Sequence, residues 1–155
     1  MKRFKLTVAA AVFAVPFAAD AQDVSMDDVP QTVKDAAISA AGDVTLDTVG
    51  IEDEDGTSTY ELSGKDDAGM MLEIDVLEDG TVVEKEQQIA AEDVPADVME
   101  MLGRYVPDFE PGTIEMSERT AENWYEFSGT SGGTEFDIEV DAEARRILIQ
   151  DDSAG

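Results

Sequence analysis

The sequence predicts an α+β protein made of two tandem repeats. Each repeat is one helix followed by a four-stranded antiparallel meander, with the helix on one face. Three observations lead there. Blocks of sequence recur in register at a nearly constant offset. A Val-Pro followed by apolar residues at helical spacing opens each copy. Short alternating runs separated by turn residues complete it. Asp27-Asp28-Val29-Pro30 matches Glu92-Asp93-Val94-Pro95, and Tyr60-Glu61-Leu62-Ser63-Gly64 matches Tyr125-Glu126-Phe127-Ser128-Gly129, both at an offset of 65. Leu72-Glu73-Ile74-Asp75-Val76 matches Phe136-Asp137-Ile138-Glu139-Val140 at 64. One deletion in the second copy accounts for the change. The organisation read from this is a signal peptide over 1–21, a first repeat over 22–88 and a second over 89–155.

The chain opens on the basic stretch Met1-Lys2-Arg3-Phe4-Lys5. An uncharged run from Leu6 to Ala19 follows, and then Ala19-Asp20-Ala21. A basic start, a short apolar run and a small-x-small site form a secretory leader, with cleavage expected after Ala21. The apolar run is shorter than the roughly 20 residues a spanning helix needs, so no membrane insertion is expected once the leader is removed. The destination is the periplasm or the medium.

In the first repeat Pro30 is expected at the first helical position, where its fixed φ suits a helix. Val33, Ala36, Ala37, Ala40 and Ala41 then form an apolar stripe, and Gly42 supplies the stop. The second helix repeats this from Pro95 with Val98, Met101, Leu102 and Tyr105, ending before Pro107. Strands are expected over about 44–51, 57–63, 70–77 and 81–88, then 112–118, 123–128, 134–140 and 145–150. Asp55-Gly56, Asp79-Gly80 and Ser131-Gly132-Gly133 mark tight turns between them. Whether the two sheets meet edge to edge is left open by the sequence.

Composition removes many functions. The 155 residues hold 37 acidic and 10 basic side chains, a net charge of −27, with no Cys and no His. That excludes disulfides, His-based triads and zinc sites of the Cys/His kind. It also opposes binding to nucleic acid or to an anionic membrane surface. At 43% apolar the chain still has the means to build a core. A Ser–Lys dyad would have to recruit Lys34, Lys65 or Lys85, and none has a motif around it. Glu52-Asp53-Glu54-Asp55-Gly56 has the look of a calcium loop. The spacing fails, because Ile51 and Leu62 stand where ligands are required. No catalytic residue, metal ligand or cofactor is therefore assigned, and no enzyme activity is expected.

The Val-Pro helix openings, the Tyr-Glu-Phe-Ser-Gly block, the run Thr134-Glu135-Phe136-Asp137-Ile138-Glu139-Val140-Asp141-Ala142 and the closing Arg-Ile-Leu strand resemble a PepSY-like domain. The match is to the exported, tandem form, which is similar to the β-lactamase-inhibitor-protein fold. That family usually has a Gly in the last turn; Gly80 keeps it, whereas Ala144 stands there in the second copy. The resemblance implies a small exported binding or inhibitory module, associated with regulation of peptidases, with no catalytic residues to carry over.

The strands also point to a surface. Phe136, Ile138 and Val140 face one way, and Asp137 and Glu139 the other. Leu72, Ile74 and Val76 oppose Glu73 and Asp75. Tyr60 and Leu62 oppose Glu61, and Tyr125 and Phe127 oppose Trp124 and Glu126. The face away from the helices becomes a field of carboxylates. Three readings follow: a solvated outer face, a docking surface for a basic protein or peptidase, or a weak divalent-cation surface without a single protein partner. High negative charge also suits a saline habitat. The candidate docking residues are Trp124, Glu126, Asp137, Glu139, Glu61, Glu73 and Asp75. Trp124 is read either as an exposed anchor or as packed against a neighbouring segment.

Overall fold

The structure, a computed structural model, describes residues 24–54 and 57–151. The leader over 1–21 and the Asp55-Gly56 turn lie outside them. The first helix, α1, spans Gln31–Ala41 and buries Val33, Ala37 and Ala41, one residue per turn on a single face. Pro30 precedes the helix instead of starting it. Its ψ of 141° is extended, and its carbonyl accepts the first helical hydrogen bond, from the Lys34 N–H at 3.1 Å. A proline at the cap costs nothing there, because that position has no helical partner for an N–H. Pro95 plays the same part for α2, Ala96–Tyr105, whose buried face is Val98 and Leu102. Gly42, at φ 65°, turns the chain out of α1.

Eight strands follow the helices in chain order: β1 Thr45–Glu54, β2 Thr57–Lys65, β3 Met71–Leu77, β4 Val82–Gln88, then after α2, β5 Glu110–Arg119, β6 Asn123–Ser131, β7 Thr134–Asp141 and β8 Ile147–Asp151. Every neighbouring pair is antiparallel, and the order across the sheet is the order along the chain. This corrects the expected fold class of two repeats, each a helix with its own four-stranded meander. The eight strands form one continuous sheet, because β4 pairs with β5 from Glu84↔Arg119 to Gln88↔Glu115. Two separate sheets would leave both of these strands with a row of unpaired backbone groups; joining them satisfies those groups. The short 3-10 turn at Ala91–Asp93 and α2 span the gap that brings β4 and β5 together.

Both helices lie against the same face. Under α1 the core gathers Leu46, Val49, Leu62, Leu72, Ile74 and Val76; under α2 it gathers Ile114, Phe127, Ile138 and Val140. Strand alternation sends the remaining side chains to the opposite face. In the last hairpin Ala144 adopts φ 51°, close to the left-handed geometry that Gly80 takes at φ 87° between β3 and β4. Asp141 holds it there: its carboxylate accepts the N–H groups of Arg145 and Arg146, and its carbonyl accepts that of Ala144.

Candidate functional site

The sheet face away from the helices carries side chains in rows, each row running across the strands. One row is Gly50, Glu61, Asp75, Glu84 and Arg119, from β1 to β5. The next is Thr48, Ser63, Glu73, Glu86, Ser117, Trp124 and Asp141, from β1 to β7. A third is Gln88, Glu115, Glu126, Glu139 and Leu148, from β4 to β8. Carboxylates thus stand directly opposite one another at Glu61/Asp75, Asp75/Glu84, Glu73/Glu86, Glu115/Glu126 and Glu126/Glu139. Like charges in such positions repel.

This face is not uniformly wet. Glu84 is 5% exposed, Glu126 6% and Ser117 fully buried. At its centre Arg119 donates to three carboxylates from three strands. Its Nε lies 2.7 Å from Glu84, one terminal nitrogen 2.5 Å from Glu126, and both terminal nitrogens 3.3 Å from Glu139. The Ser117 hydroxyl donates to the same Glu84 oxygen. Burial disfavours the Arg119 charge, but the hydrogen bonds to Glu139 and Glu84 outweigh it and keep the guanidinium firmly protonated.

One guanidinium does not balance the face. Burial first, and neighbouring carboxylates second, push Glu73 up to about 7 and Asp75 to about 8. The same causes push Glu86 up to about 10. Glu126 rises to about 7, with burial outweighing the pull of Arg119. Glu61 and Glu115 rise as well, again mainly through burial. One oxygen of Asp75, Oδ1, is buried without a hydrogen-bond partner. In this region the protein is therefore partly protonated near neutral pH.

The consequence for stability has a definite sign. An unfolded carboxylate releases its proton near pH 4, whereas these hold theirs to pH 7 or above. The folded state binds more protons at these groups, so their contribution to stability is full below about pH 4 and is lost as pH rises through the folded values. The melting temperature is expected to drop by about 10 °C between pH 5 and pH 8, still visible in 1 M salt, where exposed charges are screened. A thermal melt series reads this directly. A flat profile in high salt would mean that the face is fully hydrated.

The structure places each candidate residue. Glu61, Glu73, Asp75, Glu126 and Glu139 are within the rows above. Asp137 lies toward the far end of the face, where it accepts from the Ser128 hydroxyl at 2.7 Å. Trp124 points to the carboxylate side but is only 4% exposed. Arg146 covers its ring at 4.7 Å and Arg119 approaches it at 5.7 Å, a cation–π stack on both counts. Arg146 is held in turn by Asp141 at 3.1 Å and by Glu122. Trp124 is thus a fixed floor under two cations.

Four residues central to this face are absent from the sequence reading: Glu84, Glu86, Glu115 and Arg119. The alternation of Glu84 and Glu86 along β4 is a visible signal. Arg119 falls one residue beyond the strand expected over 112–118. Glu84, Glu86 and Glu126 each bring a carboxylate oxygen within 4.8 Å of the others, a spacing suited to a cation. Arg119 already supplies positive charge to two of the three. Two shallow depressions on the surface are lined by Thr57, Ser58 and Leu77 and by Val82, Lys85 and Asn123. Neither is lined by Glu73, Asp75 or Glu86. Among the described residues no helix is long and apolar enough to cross a membrane.

No family model and no curated protein matches this sequence. Several solved structures share its fold. A candidate periplasmic protein from Bacteroides eggerthii superposes with a TM-score of 0.63 at 12% identity, over 79% of this chain and 88% of its own. A BLIP-like protein from Bacteroides fragilis gives 0.60 at 13% identity, over 81% and 88%. A DUF2874 family protein from Bacteroides ovatus gives 0.63 at 10% identity, over 81% and 93%. The chain therefore has a BLIP-like fold.

Proposed function

We propose that this chain is an exported, non-catalytic binding module that docks a basic polypeptide on its carboxylate face. The observation that carries the reading is the excess of buried and half-buried carboxylate over cation: Glu61, Glu73, Asp75, Glu86 and Glu126 share one face with Arg119 at its centre and Arg146 over Trp124. A fold gains nothing from directly opposed acids, and sites that work against stability in this way are the ones kept for binding. A lysine- or arginine-bearing segment would supply the missing charge, with Asp137 and Glu139 at the margin and Trp124 holding Arg146 in place from beneath. An envelope protein or peptidase with a basic surface is the kind of partner this suits. The PepSY-like sequence pattern and the BLIP-like fold agree with an exported module that acts by binding.

The test compares two double variants against an oligolysine peptide, read by calorimetry at pH 7. Glu73→Gln with Asp75→Asn neutralises the face. Asp43→Asn with Glu92→Gln makes the same two kinds of replacement at exposed positions elsewhere and removes at least as much charge. The face variant is expected to melt higher and to bind at least tenfold more weakly, and the control is expected to do neither. Equal losses in both would reduce the attraction to net charge and sink the docking reading.

A second reading, weak divalent-cation binding without a protein partner, is favoured by the Glu84, Glu86 and Glu126 spacing. Its mark is a rise in melting temperature with millimolar Ca²⁺ beyond that from a monovalent salt of equal ionic strength.

A further inference from the structure

The outermost strand β8 differs from every other edge of this molecule. β1, at the opposite side of the sheet, is guarded by Asp47, Glu52 and Asp53, as edge strands of monomers commonly are. β8 reads Ile147-Leu148-Ile149-Gln150-Asp151 and carries no charge between Arg146 and Asp151. Leu148 is 53% exposed and Ile149 45%, so two of the molecule's large exposed apolar side chains are consecutive on an edge strand. The backbone is also available. Asp141 N–H donates to the Arg146 carbonyl, so Arg146 turns its backbone groups toward β7. By alternation Leu148 does the same opposite Glu139, while the N–H and C=O of Ile147 and Ile149 point to the outer side, where no described strand lies.

We propose that β8 is a self-pairing edge, and that two copies of this chain join through it as an antiparallel two-fold dimer with a continuous sheet. A two-fold axis perpendicular to a sheet keeps each face on its own side, so one residue must stand opposite its own copy. Centring the axis on Leu148 places Ile147 opposite Ile149 of the second copy and Arg145 opposite Asp151 of the second copy. This register joins the outward backbone groups, the apolar side chains and the oppositely charged strand ends at once. Ile147 and Ile149 are the residues whose backbone groups point outward, so they form the hydrogen-bonded pairs. The two Leu148 side chains cover each other on the carboxylate face, and Ile147 packs on Ile149 on the helix face. In sequence the strand runs from Arg145 and Arg146, which also pair with Glu143, Glu122 and Asp141 of their own chain, to Asp151, so an antiparallel copy sets a basic end beside an acidic one. Local attraction at the seam thus opposes the repulsion of two strongly negative bodies. That repulsion is screened within roughly 8 Å at physiological ionic strength.

The test is sedimentation of the protein as the producing cell exports it, from micromolar to millimolar concentration, at 0.02 M and 0.15 M salt. The expected result is a two-chain mass that is favoured at the higher salt. Leu148→Lys places two like charges at the centre of the seam. Ile149→Pro removes an outward N–H without touching the β7 ladder. Both are expected to sediment as one chain with an unchanged far-UV circular dichroism spectrum. Arg145→Asp is expected to weaken the dimer, and adding Asp151→Arg to restore it. A one-chain mass for the native protein throughout, or two chains persisting in both Leu148→Lys and Ile149→Pro, would overturn the proposal. A mass that grows without limit would overturn it too, because that is head-to-tail pairing of β8 with β1.

Discussion

Arg119→Met is expected to lower the unfolding free energy at pH 7 by about 3–5 kcal/mol, the usual cost of leaving buried charge without its partner. Arg119 is the one side chain that reaches Glu84, Glu126 and Glu139 together. Its loss would strand carboxylates that are 5% and 6% exposed at Glu84 and Glu126. The deficit has a second signature. Protonation relieves a buried carboxylate that has lost its partner, so the gap between native and variant should narrow as pH falls from 7 to 5. Adding Glu84→Gln and Glu126→Gln should recover much of the loss at pH 7, since removing both sides of an ion pair is far cheaper than removing one. Urea unfolding at pH 5 and pH 7 reads all of these outcomes. A loss of equal size at both pH values would assign Arg119 a packing role and count against the charge account.

Gly129→Ala and Gly64→Ala are expected to cost at least about 3 kcal/mol each, and either variant is expected to accumulate poorly. The cause is space. A Cβ on Gly64 would lie 2.0 Å from the Thr45 carbonyl oxygen, and one on Gly129 would lie 2.4 Å from that of Glu110. Both obstacles are backbone and neither can swing away. Each glycine sits beside a register shift in the partner strand, between Leu46 and Thr48 in β1 and between Pro111 and Thr113 in β5. At these two bulges the partner backbone comes so close that only a residue without a side chain fits opposite. Gly103→Ala is the control. Its Cβ meets nothing within 4 Å, and it lies inside α2, so the change should stabilise by about 0.5–1 kcal/mol. Comparable losses at all three positions would rule out the close-approach account.

The Tyr-Glu-Leu-Ser-Gly and Tyr-Glu-Phe-Ser-Gly blocks were legible as strands with a defined inner and outer side. The reason for their closing glycine was not, because it lies in a carbonyl of the preceding strand. Trp124 shows the same division. Its parity beside Tyr125 and Phe127 puts it on the carboxylate side. Its burial depends on Arg146, which reaches it only after β7 and β8 have folded back. Glu73 and Asp75 were legible as acids opposite a core strand. Their retention of protons follows first from burial and then from Glu61 and Glu84 on the neighbouring strands, and so from which strands pack together. The expected end of a strand at 118 missed Arg119, since nothing local distinguishes a last strand residue from the first residue of a turn.

What the sequence by itself determined was local. It set the helices after Pro30 and Pro95, the alternation that sends apolar side chains to one face and carboxylates to the other, and the exclusion of His- and Cys-based chemistry. These follow from the periods of helix and strand and from composition, and need no knowledge of distant partners. Only the tertiary structure decided that β4 meets β5, turning two expected sheets into one. That single junction brings Arg119 to Glu84, 35 residues earlier in the chain, and aligns the rows of opposed acids. Burial and Coulomb energy depend on which side chains are neighbours in space. The charged centre of this protein therefore exists only once the whole sheet is assembled.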